Sequence, residues 1–316
     1  MSPHPDHAST STGQLNRHTW AARARAGWPP LARTVALLGL GLCSLAAAAE
    51  TLWGYAQGSS QLTGFSVDSG TVTDVRWLGQ ASANPFAGLT SLAFGSDGTL
   101  WGYAAGSSQL LGFDIRTGAL SNVRWLGEAS ANQFAGLTSL AFGADDTLWG
   151  YASGSSQLLG FDIGTGALSN VRWLGAASAN QFPGLSELAF GSDGTLWGYA
   201  AGSSQLLGFD IGTGALSNVR WLGEASANQF AGLTSLAFGA DDTLWGYASG
   251  SSQLLGFDIG TGALSNVRWL GQANANTYAN LAALDFEPVP VPEPHAWVLM
   301  LGGLAAVGAL ARRRRA

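Results

Sequence analysis

Five times along the middle of the chain an arginine stands directly before a tryptophan: Arg76-Trp77, Arg124-Trp125, Arg172-Trp173, Arg220-Trp221 and Arg268-Trp269. Eight residues past each arginine an asparagine recurs, as Asn84, Asn132, Asn180, Asn228 and Asn276, and Asp114, Asp162, Asp210 and Asp258 each follow a Phe. Ser66 takes that place in the first copy. An indole face can lie under a sugar ring while Arg, Asp or Asn donate and accept hydrogen bonds around it, so these positions are candidate glycan contacts. The same residues also fit an internal role, with Arg-Asp pairs tying strands or blades, Trp in the core and Asn in turns. The Ser96-Asp97-Gly98 and Ala144-Asp145-Asp146 turns have too few oxygens for a calcium loop and are read as β-turns.

Catalysis is harder to place. All four His (His4, His7, His18, His295) and Cys43 lie near the two ends, so the middle has no histidine, thiol or zinc chemistry to offer. Every candidate residue recurs about five times, whereas an active site needs a unique constellation. A carboxylate pair isolated in a cleft, such as Glu187 with Asp193, is what a hydrolase or lyase would require. No catalytic residue, metal ligand set or cofactor is expected. Between residues 51 and 287 six Arg face 17 Asp and Glu, and the chain has no Lys, which excludes nucleic acid and disfavours anionic polysaccharide as partners through bulk charge.

The elements that must position these residues repeat with a period of 48, marked by Trp53, Trp101, Trp149, Trp197 and Trp245. Residues 99–146 and 195–242 differ only at Arg116 against Gly212, so duplication of a two-repeat unit accounts for much of the similarity. Within the second copy four segments have strand character: Thr99 to Ala104, Gln109 to Ile115, Leu120 to Leu126 and Leu137 to Phe142. Gly106-Ser107-Ser108, Thr117-Gly118 and Asp145-Asp146 supply the turns between them. Apolar residues fall on both faces, Leu100 opposing Trp101 and Tyr103, which suits sheets stacked on both sides. The expected fold is all-β, a five-bladed β-propeller of five 48-residue repeats, with a β-solenoid of two coils per repeat as the competing reading.

The phase of the repeat favours closure. The body opens on TLWGYA and ends on Leu281 to Phe286, a lone copy of the LTSLAF segment, so the last strand completes the blade begun by the first. Each blade carries Trp53, Tyr55, Phe65, Trp77, Phe86 and Phe94 or their equivalents, Tyr278 replacing Phe86 in the last. At about 1.5 to 3 kcal/mol per buried side chain these make a core that needs no disulfides. In repeat length and phase the body resembles the tachylectin-type lectins, and that resemblance implies amino-sugar binding between blades.

Residues 1–49 read as a signal peptide: Arg17, Arg23, Arg25 and Arg33, an apolar run from Val35 to Leu45, then small residues ending at Ala49, the expected cleavage site. This calls for the secretion machinery and signal peptidase. The chain closes on a second three-part signal: a Pro-rich linker over 288–295 with Pro292, Glu293 and Pro294, an apolar helix over 296–311, and a basic tail over 312–316 with Arg312, Arg313, Arg314 and Arg315. Sixteen apolar residues at about 1.5 Å each span roughly 24 Å, marginal against a hydrocarbon core of about 30 Å. The arginines would hold its C-terminal end in the cytoplasm.

These three parts, in this order, resemble the PEP-CTERM sorting tail of Gram-negative bacteria. The resemblance implies transient anchoring in the inner membrane, recognition of Pro-Glu-Pro by an exosortase, and a life at the cell surface or in the extracellular matrix, in the company of exopolysaccharide and biofilm. The expected function is that of an exported, non-enzymatic surface or matrix protein. The alternative is a multivalent lectin with up to five equivalent sites.

Overall fold

The structure, a computed structural model, describes residues 50–288 except 57, 80–83, 105, 130, 153, 177–178, 201, 226 and 249. The expected signal peptide with Ala49, the sorting motif at Pro292, Glu293 and Pro294, the apolar run 296–311 and Arg312 to Arg315 lie outside the described residues. Among the described residues no helix is long and apolar enough to cross a membrane.

Among the described residues twenty strands form five antiparallel four-stranded sheets. Blade 2 shows the plan: inner strand Leu89–Phe94, then Thr99–Ala104, Gln109–Asp114 and outer strand Leu120–Trp125, each paired to the next. Blade 3 begins on Leu137–Phe142, blade 4 on Leu185–Phe190 and blade 5 on Leu233–Phe238. Blade 1 takes Leu281–Phe286 as its inner strand, laid antiparallel on Thr51–Ala56 with Leu52 opposite Phe286 and Gly54 opposite Leu284. The inner strands neighbour one another in a closed circle, so the fold is the five-bladed propeller and not the solenoid. The chain closes its own ring.

The repeat makes strands because its β-branched and aromatic residues are punctuated by turn residues, several at positive φ. Glycine is favoured at two places, one in a strand and one in a turn. At Gly102, within the second strand, a Cβ would stand 2.7 Å from Leu89 Cδ1, so a side chain there would have to displace Leu89 from the core. Gly118 combines φ of +72° with a would-be Cβ 2.1 Å from the carbonyl oxygen of Trp77 in the preceding blade.

The core lies between blades. At the first joint Trp53, Tyr55, Leu62 and Leu78 of blade 1 pack on Leu89, Leu100, Leu111 and Phe113 of blade 2. Phe86, in the crossing loop, sets its ring edge-on to Phe113 with centroids 5.0 Å apart. Its backbone is held at both ends: Tyr55 Oη donates to Phe86 O at 2.5 Å, and Phe86 N donates to Ser60 Oγ at 2.8 Å. The same set recurs at every joint, ending with Tyr247 and Ser252 on Tyr278. The first three strands of a blade are buried on both faces, but the outer strand is not: Leu120 and Val123 are 41% and 43% exposed, as are their equivalents to similar extents. Among the described residues nothing stacks beyond the outer strand, so the expectation of burial on both faces stops there.

Candidate functional site

The five Arg-Trp pairs sit at the end of each outer strand, where it meets the next blade. Arg76 Nε donates to Arg116 O at 3.1 Å, Arg124 Nε to Gly164 O at 3.0 Å, Arg172 Nε to Gly212 O at 3.1 Å and Arg268 Nε to Asp68 O at 2.9 Å. Each acceptor is a carbonyl in a turn of the neighbouring blade. Arg220 Nε is buried without a hydrogen-bond partner among the described residues. The Nη1 groups of Arg76, Arg124, Arg172, Arg220 and Arg268 donate to the carbonyl just before each arginine. The tryptophans Trp77, Trp125, Trp173, Trp221 and Trp269 are half-buried, with their carbonyl edges against the turn glycines of the next blade.

This corrects one half of the internal reading. The arginines do tie blades together, but through backbone carbonyls and not through the expected aspartates. Asp114 Oδ1 instead accepts from Thr117 N at 2.9 Å, and Asp162 accepts from both Thr165 N and its hydroxyl, at 2.8 and 2.7 Å. These bonds hold the Asp114 and Asp162 carboxyls below the usual range, through the backbone of Thr117 foremost in one and the hydroxyl of Thr165 in the other. The side-chain ion pair that Arg76 makes is with Asp74, on its own strand.

Asn84, Asn132, Asn180, Asn228 and Asn276 all stand in the left-handed region, at φ of 45°, 46°, 42°, 47° and 47°, in the loops that lead to the next inner strand. Asn tolerates that region better than other residues with a side chain. All five are exposed. The carbonyl of Asn132 accepts from Ala135 N at 3.3 Å, closing the turn.

The site that the repeats did not announce is on the axis. The inner strands enclose a cavity of about 580 Å³ whose charged lining is Glu50, Asp146, Glu187, Asp242, Asp285 and Glu287, with no basic residue. At most joints a serine on the inner strand accepts from the next one: Leu140 N to Ser91 Oγ at 3.1 Å, Leu188 N to Ser139 Oγ at 3.0 Å and Leu284 N to Ser235 Oγ at 2.9 Å. Blade 4 has Glu187 at the serine position and blade 1 has Ala283. Blade 1 makes good the loss with Asp285, whose Oδ2 accepts from Phe94 N at 2.7 Å and Oδ1 from Phe286 N at 2.9 Å. Glu187 turns back and accepts from Ser139 Oγ at 3.3 Å.

Burial pushes Glu187 well above the usual carboxylate range, and it pushes Asp285 up to about 7 despite its two backbone donors. The pair weighed from sequence does not form, since Asp193 lies in an exposed turn and accepts from Thr195 N and Oγ1, both at 2.9 Å. Asp285 shares the cavity with Glu187 instead. The signal that could have found both acids is departure from the repeat, because other blades have Ser or Ala at the first position and Ala at the second. Among the described residues no cluster of His, Cys, Asp and Glu could hold a metal ion.

A ring of five near-identical blades closed by its own last strand is a β-propeller whose recurrent arginines and inner-strand serines serve its joints. Residues 290–315 match the PEP-CTERM protein-sorting motif, so this propeller is exported across the inner membrane of a Gram-negative bacterium and sorted by an exosortase. No curated protein matches the sequence. Among solved structures, a symmetrical protein studied for its de novo evolutionary emergence is 14% identical, with a TM-score of 0.50 over 77% of this chain and 100% of its own. Virginiamycin B lyase from Staphylococcus aureus is 12% identical, with a TM-score of 0.41 over 72% of this chain and 69% of its own. Glutaminyl cyclase from Myxococcus xanthus is 14% identical, with a TM-score of 0.45 over 62% and 88%. Identities this low lend no chemistry from the two enzymes.

Proposed function

We propose that the mature protein is a non-enzymatic propeller of the cell surface or extracellular matrix, released or transferred there after its tail is processed, in the company of exopolysaccharide and biofilm. Signal cleavage after Ala49 and a body of 50–287, a linker of 288–295, a membrane helix of 296–311 and a cytoplasmic tail of 312–316 belong to this reading. The observation that carries it is that the sorting motif is joined to a ring whose recurrent arginines and inner-strand serines are spent on its own joints. Catalysis would have to run through Glu187 and Asp285, and both carboxylate oxygens of Asp285 already accept backbone N–H groups, a holding role. The test is fractionation and intact-mass measurement of the protein in host cells with and without their exosortase. A mature form that starts at Glu50 and lacks the tail, outside the cell and only when the enzyme is present, is the expected result; an enzyme-independent mass and location would defeat it.

The alternative, a lectin with up to five equivalent sites, draws its support from the exposed Asn side chains repeated in the loop before every inner strand. Calorimetric titration of the mature protein with exopolysaccharide fragments and simple amino and neutral sugars tests it. Saturable binding near five sites per chain, weakened by Asn132→Ala, selects the lectin, and no heat with any sugar selects the scaffold.

A further inference from the structure

We propose that the rim of the axial cavity formed by the turns after the inner strands is the face this propeller presents to its exosortase, and that it fits a basic surface on that enzyme. The proposal rests on the sorting reading and adds to it a docking surface and its chemistry.

Both ends of the body leave the ring at this rim. Glu50 and Pro288 line the axial cavity together with Gly95, Gly143, Gly191 and Gly239, the residues that open those turns. The exits are pinned. Glu287 N donates to Thr51 O at 3.1 Å, Trp53 Nε1 donates to Glu287 Oε2 at 3.0 Å, and Ala240 N donates to Glu50 Oε1 at 2.5 Å. Neither end can swing to the other rim without breaking the strand pair that closes the ring.

Length then fixes who must approach. The sorting motif begins two residues past Pro288, and Pro294 is six residues past it. At no more than about 3.5 Å per residue, Pro294 lies within roughly 21 Å of the rim. An inner strand of six residues is itself about 20 Å long, so the far rim, with its Asn loops, stands behind the whole body of the propeller. An enzyme reaching Pro292 to Pro294 meets the near rim first.

Charge gives the partner its character. The turns after the inner strands expose Asp97, Asp145, Asp146, Asp193, Asp241 and Asp242 and contain no Arg or Lys, so the rim stays acidic although Arg116 is exposed in a neighbouring turn and Arg268 lines a small pocket with Glu50 and Asp241. Such a ring is repelled by an anionic lipid surface and attracted to a basic protein surface, which steers encounter more than it adds affinity.

The experiment uses the full chain in host membranes that contain a catalytically inactive exosortase. A photo-crosslinking amino acid is placed at Asp146 or Asp242 on the near rim, or at Asn132 or Asn228 on the far one. Crosslinks to the exosortase from the near rim, at least about fivefold above the far rim, are expected given the one-sided tether. Equal or stronger crosslinks from the far rim overturn the docking surface. The charge is read with active enzyme: Asp146→Asn with Asp242→Asn keeps residues that accept positive φ and is expected to slow tail removal about threefold or more at low salt, less at high salt. An unchanged rate overturns the basic partner. Replacing Pro292 to Pro294 by alanine separates the two levels: if the tail is still removed the sorting reading fails, and if removal needs the motif while crosslinks come from the far rim, only the present proposal fails.

Discussion

Ser139 Oγ lies 3.3 Å from Glu187 Oε2, across the joint between blades 3 and 4, while the same oxygen accepts from Leu188 N at 3.0 Å. One hydroxyl thus serves both the blade-to-blade ladder and the acid that interrupts it. The equivalent of Glu187 in three other blades is a serine that bonds forward, and in blade 4 that forward bond, toward Leu236, has given way to a carboxylate facing back.

Glu187→Ser should therefore stabilise the protein. It removes a desolvated carboxyl and offers Leu236 N the acceptor its counterparts have, a net hydrogen bond worth about 0.5 to 1.5 kcal/mol with the relief of desolvation added. Thermal and denaturant unfolding at pH 7 measure it. A lower midpoint would mean that Glu187 holds its blade in a way the serine cannot.

Asp285 gives the stability a pH dependence. Its carboxyl titrates near 7 in the folded ring against an ordinary value of 3.8, so between these limits the folded state holds the extra proton. Stability is then greatest below about pH 4 as far as this group is concerned, falls as pH rises toward 7, and loses at most about 1.4 kcal/mol per pH unit on the way. Glu187, also raised, adds in the same sense. The double change Ala283→Ser with Asp285→Ala gives blade 1 the Ser and Ala that blades 2, 3 and 5 have. It should flatten this slope and leave the acid-side stability nearly intact. Unfolding midpoints from pH 4 to 8 in both proteins decide, and parallel curves would deny Asp285 the role.

Much of the fold was legible because each repeat spells out its turns. The strands read from sequence as Gln109 to Ile115 and Leu120 to Leu126 end one residue earlier, at Asp114 and Trp125, and the lone last strand closes blade 1 as its phase requires. The candidate sites were less legible, for a physical reason. Arg124 bonds Gly164 O, forty residues away, and a backbone carbonyl has no residue type to read. Glu187 and Asp285 are ninety-eight residues apart and share a cavity only because the ring is closed.

The tyrosines test whether the joints act as a set. Tyr103 Oη donates to Phe134 O, as Tyr55 does to Phe86 O, from a position with no solvent exposure. Desolvation raises the Tyr103 phenol above its ordinary value of 10.0, so it stays a donor throughout the neutral range. Tyr103→Phe keeps the ring and leaves Phe134 O only its longer bond from Leu137 N at 3.3 Å, at a cost of about 0.5 to 1.5 kcal/mol. Because each blade contacts only its neighbours and closure links them all, one such loss should lower the midpoint of a single cooperative transition. A separate early transition would show that blades 2 and 3 part before the rest.

Two glycines separate backbone strain from collision. Gly106 has φ of +84° with nothing within 4 Å of a would-be Cβ, whereas Gly118 has φ of +72° with Trp77 O 2.1 Å away. Gly106→Ala meets only the left-handed penalty, about 1 kcal/mol. Gly118→Ala must also push the end of one blade's outer strand off the turn of the next, and that contact includes the bond from Gly79 N to Gly118 O at 2.8 Å. The second substitution should therefore cost well over twice the first, and it should loosen the joint between blades 1 and 2 in hydrogen exchange while the others stay protected. Equal losses for the two would mean that the blades rest on each other too lightly at Gly118 for the ring to depend on it.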